Sequence, residues 1–145
     1  MKEKLLVSAC LLGRRCRYDG GDNYDPAVEG LRDRYELIPV CPEQLGGLPT
    51  PRTPAERAGE RVLARDGTDV TAAFRAGAER ALETALSQGA SRALLKERSP
   101  SCGSGGVYDG TFTGRVVPGR GVTAELLAER GVAVLGESRL EELLP

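Results

Sequence analysis

Four cysteines and no histidine define the chemistry open to this 145-residue chain. Cys10, Cys41 and Cys102 each stand just past a short apolar run that reads as a strand: Leu5–Ala9, Leu37–Val40 and Ala93–Lys96. If those strands are parallel neighbours, their carboxyl ends open onto one crevice, the place where open α/β sheets bind ligands. Thiols far apart in sequence would then meet in space. The missing imidazole excludes a Ser-His-Asp triad, a Cys-His pair and every histidine-ligated zinc hydrolase. Proton transfer is left to carboxylates, Lys, Tyr, Cys or bound water.

The thiols have four readings on spacing alone. Free cysteine is often simply buried, yet Cys41-Pro42 and Ser101-Cys102-Gly103 have the Pro, Ser and Gly neighbours of strand-exit loops. Disulfides are uncommon in a reducing compartment. Structural zinc favours paired C-x2-4-C knuckles, and Cys10 and Cys16, six apart, do not make one. Three dispersed thiolates also suit an iron–sulfur cluster with one iron lacking a protein ligand.

The elements that must position these residues alternate between strand and helix. Glu3–Ala9 reads as a buried first strand, and Cys10–Tyr24 as a Gly-, Arg- and Asp-rich loop with room for one helical turn. Asp25-Pro26 is a helix start, with Val28, Leu31 and Tyr35 at helical spacing. Glu36–Val40 is the second strand. The proline-rich stretch Leu45–Ala55 is a long loop of the kind that often carries function. Gly59–Gly67 is a short hairpin or edge strand, and a helix follows Asp69-Val70-Thr71, with Phe74, Ala78, Leu82 and Leu86 on one face and Gly89 ending it. Ser91–Lys96 is the third strand, Glu97–Gly106 a loop, and Tyr108–Phe112 a tight turn. Thr123–Arg130 is a helix, Val132–Gly136 the fourth strand, and Ser138–Leu144 a terminal helix. This order predicts an α/β fold: a single three-layer Rossmann-like domain over residues 1–145, with a mostly parallel sheet of about four strands.

Bulk composition agrees with a globular protein. Apolar residues make up 40% and charged residues 28%, both near the usual values. A net charge of −1 offers no electrostatic case for bulk nucleic-acid or membrane binding, although Arg14, Arg15 and Arg17 form a local basic group beside Cys10. No apolar run approaches the roughly 18 residues of a membrane span, and Met1-Lys2-Glu3-Lys4 leads into a strand without a signal-peptide core. A cytoplasmic location is expected.

Longer motifs then become recognisable. Ser8-Ala9-Cys10-Leu11-Leu12-Gly13 with Cys16-Arg17-Tyr18-Asp19-Gly20 resembles the opening block of the thiouracil desulfidase family, once catalogued as a domain of unknown function. Val40-Cys41-Pro42-Glu43 with Gly46–Arg52 resembles its second block. Leu95-Lys96-Glu97, Ser99–Gly103 and Tyr108–Phe112 resemble its third, and Gly121–Ala124 matches the start of its last helix. The resemblance spans essentially the whole chain. It implies removal of sulfur from a 2-thiouracil-like thiolated pyrimidine, giving uracil and hydrogen sulfide without net redox change. It also implies an oxygen-sensitive [4Fe–4S] cluster on three cysteines matching Cys10, Cys41 and Cys102, whose unique iron binds the substrate sulfur. Glutamate and serine near the ligands map to Glu43 and Ser101.

The chemistry is coherent with that implication. An iron with an open position is a Lewis acid with affinity for soft sulfur, and it makes the ring carbon electrophilic toward water. Glu43, two residues beyond Cys41, is the best-placed carboxylate to move protons. Ser101 is a candidate to hydrogen-bond substrate or cluster, with an ordinary turn serine as the alternative. Ser8 and Asp19 are candidate substrate contacts, and Asp19 is equally at home as a turn residue. Lys96 and Glu97 suit a surface ion pair, with pocket lining as the alternative, Arg52 an anion contact or a decoration of its loop, and Cys16 a spare thiol near the cluster, with a sulfur acceptor as the alternative. The expected partners are a small thiolated pyrimidine and the iron–sulfur assembly machinery, with a monomer or weak homo-oligomer. Rival readings are desulfuration of a thionucleoside or thiolated tRNA, a non-catalytic iron–sulfur or sulfide carrier, and a zinc- or thiolate-dependent hydrolase.

Overall fold

The computed structural model describes residues 2–144. Four strands form one parallel sheet: β1 (Glu3–Ser8), β2 (Tyr35–Val40), β5 (Arg92–Leu95) and β8 (Ala133–Gly136), in the order β2-β1-β5-β8. Leu5 sits opposite Leu37 on one side and Arg92 on the other, so β1 is central. Its Leu5, Leu6 and Val7 have no solvent exposure, as expected for a strand covered on both faces. Each such side chain contributes about 1.5–3 kcal/mol by leaving water.

Alternation along β1 sends its side chains to two separate cores. Leu6 joins Val40, Ala93 and Leu95 beneath α3 (Thr71–Gln88) and α4 (Val122–Glu129), which pack on each other. Leu5 and Val7 join Leu37 and Leu94 on the opposite face, under α1 (Pro26–Glu29) and two 3-10 segments, Gly30–Asp33 and Glu137–Leu143. The result is three layers, helix–sheet–helix, as expected.

β1 hands the chain to β2 on one side, whereas β5 hands it to β8 on the other. Their carboxyl ends therefore flank a switch point, where the connections diverge and leave a crevice. Cys10 lies in a 3-10 turn just after β1 (Ala9–Leu12), Cys41 directly after β2 as the cap of α2 (Pro42–Leu45), and Cys102 in the loop after β5.

Two antiparallel ribbons lie outside the sheet. β3 (Ala55–Ala58) pairs with β4 (Arg61–Ala64), which puts the expected hairpin turn at Gly59 and Glu60, earlier than the stretch Gly59–Gly67 suggests. β6 (Gly106–Tyr108) pairs with β7 (Val116–Pro118) across the Tyr108–Phe112 turn. This second ribbon was not expected: its strands are three residues each, too short to show a period.

The helix begun at Asp25-Pro26 is shorter than its spacing implies. Asp25 caps it by accepting from the Ala27 N–H at 2.9 Å, but regular α-structure stops at Glu29 and Tyr35 opens β2. Tyr35 donates its hydroxyl to the Leu143 carbonyl at 2.6 Å. The terminal helix expected over Ser138–Leu144 is a kinked 3-10 segment, broken at Arg139, that lays Leu140 and Leu143 on the second core. Among the described residues no helix is long and apolar enough to cross a membrane.

Candidate functional site

The carboxyl edge of the sheet opens into a cavity of about 590 Å³, and Cys10, Cys16, Cys41 and Cys102 all line it, with Ser8, Asn23, Glu43, Arg52 and Lys96. The three cysteines expected to act together are therefore gathered. So is Cys16, which packs against Cys10 and Cys41. All four are free thiols, so no disulfide competes for them.

Close backbone contacts hold two of the thiol-bearing segments. α2 lies so near α3 that a Cβ on Gly77 would fall 1.9 Å from the Pro42 carbonyl oxygen, and one on Gly46 would fall 2.0 Å from the Ala73 oxygen. Only glycine permits this approach, and it anchors the peptide between Cys41 and Glu43. Gly121 plays the same part for the third segment, since a Cβ there would meet the Ser101 carbonyl oxygen at 2.5 Å and the Cys102 nitrogen at 2.8 Å. The Ser99 hydroxyl accepts from the Ser101 and Cys102 N–H groups at 3.1 Å each, which shapes the loop before Cys102.

The thiols sit in unequal environments. Cys10 is pulled down to about 7, chiefly by a hydrogen bond from Cys16, with burial opposing and the Asn23 amide assisting at 3.3 Å. Cys41 is also lowered to about 7, again chiefly by Cys16. Cys16, packed against both, is raised by the same contacts and stays protonated. Burial pushes Cys102 up to about 12, against a hydrogen bond from the Ser8 hydroxyl. Two thiols are thus easier to ionise than an ordinary cysteine, and the third is harder.

Glu43 and Arg52 form the polar wall. Their side chains are only 20% and 7% exposed, so this is an enclosed pair. Burial raises the Glu43 carboxyl above its ordinary value, and Arg52 partly offsets that rise. Arg52 Nε meets Glu43 Oε1 at a long 3.4 Å, while its Nη2 donates to the Cys16 carbonyl at 2.9 Å and its Nη1 to Pro49 and Thr50. The arginine ties the proline-rich loop, the Cys16 loop and Glu43 together rather than decorating its own loop.

The remaining candidates divide. Ser8 lines the cavity, buried, and its hydroxyl accepts from the Lys96 N–H at 2.9 Å. Lys96 also lines it, pairing with Glu137 at 2.7 Å. The Glu97 side chain accepts from Ser138. Ser101 does not line the cavity: its hydroxyl is buried against Thr123 at 2.7 Å. Asp19 lies outside too, paired with Arg17 at 3.3 Å and accepting from the Gly21 N–H in its turn. Ser99, Gly121 and Thr123 fall within the motif blocks but show their roles only in the fold, whereas Asn23 and Gly77 carry no local sequence signal.

An all-thiol donor set with one sulfur from each of three elements fits a multi-iron body better than a lone ion. Among the described residues, no group of three or more His, Cys, Asp or Glu is drawn together tightly enough for a single metal. A cluster needs its thiolates spread around a larger inorganic core, and softness favours iron and sulfide over hard cations.

Known proteins resemble this chain. A solved structure named [4Fe-4S]-dependent thiouracil desulfidase TudS superposes with a TM-score of 0.93 at 51% identity, covering 98% of this chain and 95% of that one. The uncharacterized protein YbbK of Bacillus subtilis (strain 168) is 41% identical over 150 residues, 97% of this chain and 99% of its own length. The model of the 2-thiouracil desulfurase family matches residues 5–139, so the chain belongs to that family.

Proposed function

We propose that this protein is an iron–sulfur-dependent desulfidase that converts a 2-thiouracil-like pyrimidine and water into the oxo-pyrimidine and hydrogen sulfide, without net electron transfer. The observation that carries the reading is the meeting of Cys10, Cys41 and Cys102 with the enclosed Glu43–Arg52 pair on one cavity. Cys10, Cys41 and Cys102 would hold the [4Fe–4S] cluster. When bound, it supplies a Lewis-acidic iron with an open position for soft sulfur.

The protein's own groups supply the rest. Glu43, raised by burial, takes the proton from the attacking water and returns it to the departing sulfur or the ring nitrogen; Oε1 faces Arg52, which leaves Oε2 for this exchange. General acid–base help of this kind contributes about 10²–10⁴-fold. Arg52 fixes the carboxylate's direction. Ser8 donates toward Cys102 and orients its sulfur. Ser101 acts as a positioning residue, its bond to Thr123 locking the peptide that carries Cys102. Cys16 packs beside Cys10 and Cys41 and is not itself a ligand. Residues 1–145 work as one domain, monomeric or weakly self-associating, in a reducing compartment where assembly machinery can load the cluster.

The test is anaerobic reconstitution with iron and sulfide, followed by iron counting and assay of sulfide released from 2-thiouracil. About four irons per chain with stoichiometric uracil and sulfide are expected, and Glu43→Gln should keep the iron while losing at least 10²-fold in kcat. Iron without turnover of any thiolated base would leave a carrier. A cavity of about 590 Å³ has space beyond one pyrimidine ring, so 2-thiouridine belongs in the same assay as the second candidate substrate.

A further inference from the structure

The Tyr108–Phe112 motif has no part in the chemistry above, yet it reaches the same cavity. Phe112 lines the wall, as do Glu56, Arg65 and Tyr108. Its backbone has φ of +58°, a left-handed conformation that a bulky side chain adopts only when its surroundings impose it. Those surroundings are visible. The Glu56 carboxylate on β3 accepts from the Gly110 N–H at 3.0 Å and the Phe112 N–H at 3.1 Å, both through Oε1. The turn rests directly on β3, where a Cβ on Gly110 would meet the Ala58 Cβ at 2.8 Å. From the turn after β4, the Arg65 guanidinium lies 5.3 Å from the centre of the Phe112 ring. Strained residues held by several neighbours cluster at ligand clamps, and an aromatic face on a cavity wall suits a flat heterocycle.

We propose that Phe112 is the surface on which the substrate ring stacks, and that Glu56 is a positioning residue that holds the turn presenting it. The proposal rests on the desulfidase reading for the identity of the ring, a thiolated pyrimidine, and extends it to how that ring is held flat. Arg65 lies over one face of the phenyl ring, so the substrate would stack on the other. Glu56 touches only the turn's backbone N–H groups, so a neutral acceptor of the same shape serves equally well.

The test uses the anaerobically reconstituted protein and four variants: Phe112→Leu, Phe112→Tyr, Glu56→Ala and Glu56→Gln. Stacking on an aromatic face acts on bound substrate and transition state alike, so Phe112→Leu should raise KM for 2-thiouracil about tenfold with kcat within about twofold, and Phe112→Tyr should restore it. Glu56→Ala should raise KM similarly and Glu56→Gln should not. Phe112→Leu combined with Glu56→Ala should add little, because the two act through one contact. Equilibrium dialysis of uracil, the product, against the same proteins reads binding without turnover and should show the same tenfold weakening. Iron per chain should be unchanged throughout. Unaltered KM and dialysis constants in Phe112→Leu overturn the proposal, as does a Glu56→Ala effect that adds in full to that of Phe112→Leu. If Glu56→Ala fails to fold, the leucine and tyrosine variants decide alone. A wild-type protein that releases no sulfide refutes the desulfidase reading, and the dialysis comparison still tests the platform.

Discussion

Gly77→Ala would add one methyl group inside α3, away from the cavity, and should nonetheless disable the site. The new Cβ would lie 1.9 Å from the Pro42 carbonyl oxygen, whereas real Cβ contacts essentially never fall below 3.0 Å, so α2 must retreat by at least about 1.1 Å. Pro42 sits between Cys41 and Glu43, so that shift moves the proposed cluster ligand and the proposed acid–base group together. Global stability should respond weakly. Alanine gains about 1 kcal/mol over glycine inside a helix, which offsets part of the roughly 1–3 kcal/mol expected from overpacking. At about 2–4 °C per kcal/mol for a chain of this size, Tm should fall by no more than about 8 °C. Catalytic geometry is far less forgiving, since a displacement of about 1 Å can cost 10²-fold. Gly77→Ala, the wild type and the exposed α3 control Ala72→Gly would be reconstituted together, then compared by thermal unfolding, iron per chain and sulfide release. Ala72→Gly gives up about 1 kcal/mol of helix propensity without touching α2 and should keep its activity. Gly77→Ala should lose iron, turnover or both at comparable stability. Wild-type iron and wild-type kcat in Gly77→Ala would refute the claim that backbone contact between α2 and α3 sets the ligand geometry.

Single Cys→Ser changes at 10, 41 and 102 should each strip the iron on reconstitution, whereas Cys16→Ser should retain it; iron loss in Cys16→Ser would make that thiol a ligand. Thr123→Val removes the partner of a buried Ser101 hydroxyl and should cost about 1–3 kcal/mol of stability, read by denaturant unfolding, while Thr123→Ser, which keeps the hydroxyl, should cost less. Asp69 and Asp109 are held below the ordinary carboxylate value of 3.8, chiefly by the side chains of Thr71 and Thr111. A depressed folded value stabilises above that point and is lost as pH falls through it. Asp69→Asn combined with Asp109→Asn should therefore flatten the loss of Tm below about pH 4, and an unchanged acid slope would disprove the assignment.

Much of the site was legible before any coordinates because its signals are local. Apolar runs ending in Cys10, Cys41 and the loop to Cys102 identify three strand ends, and parallel sheets put strand ends on one edge. Asp25-Pro26 and Gly89 are helix boundaries whose physics lies within a few residues, and both stand where expected. Glu43 follows Cys41 so closely that a shared wall was nearly forced. The absence of histidine limited the chemistry by composition alone.

Tertiary structure decided what depends on partners distant in the chain. Strand order made β1 the centre, so that β2 and β5 bring their cysteines to either side of Cys10. Ser101 turned away because Thr123, 22 residues later, takes its hydroxyl inside the core. The fold of its loop packed Cys16 against Cys10 and Cys41, and Arg52 tied that loop to Glu43. Gly77 looks unremarkable in sequence, and the motif that contains Gly121 does not announce that another backbone lies at van der Waals contact or closer. Local propensity and periodicity describe one segment at a time, whereas close approach, burial of a hydroxyl and the lowering of a thiol's pKa are properties of pairs that only folding creates.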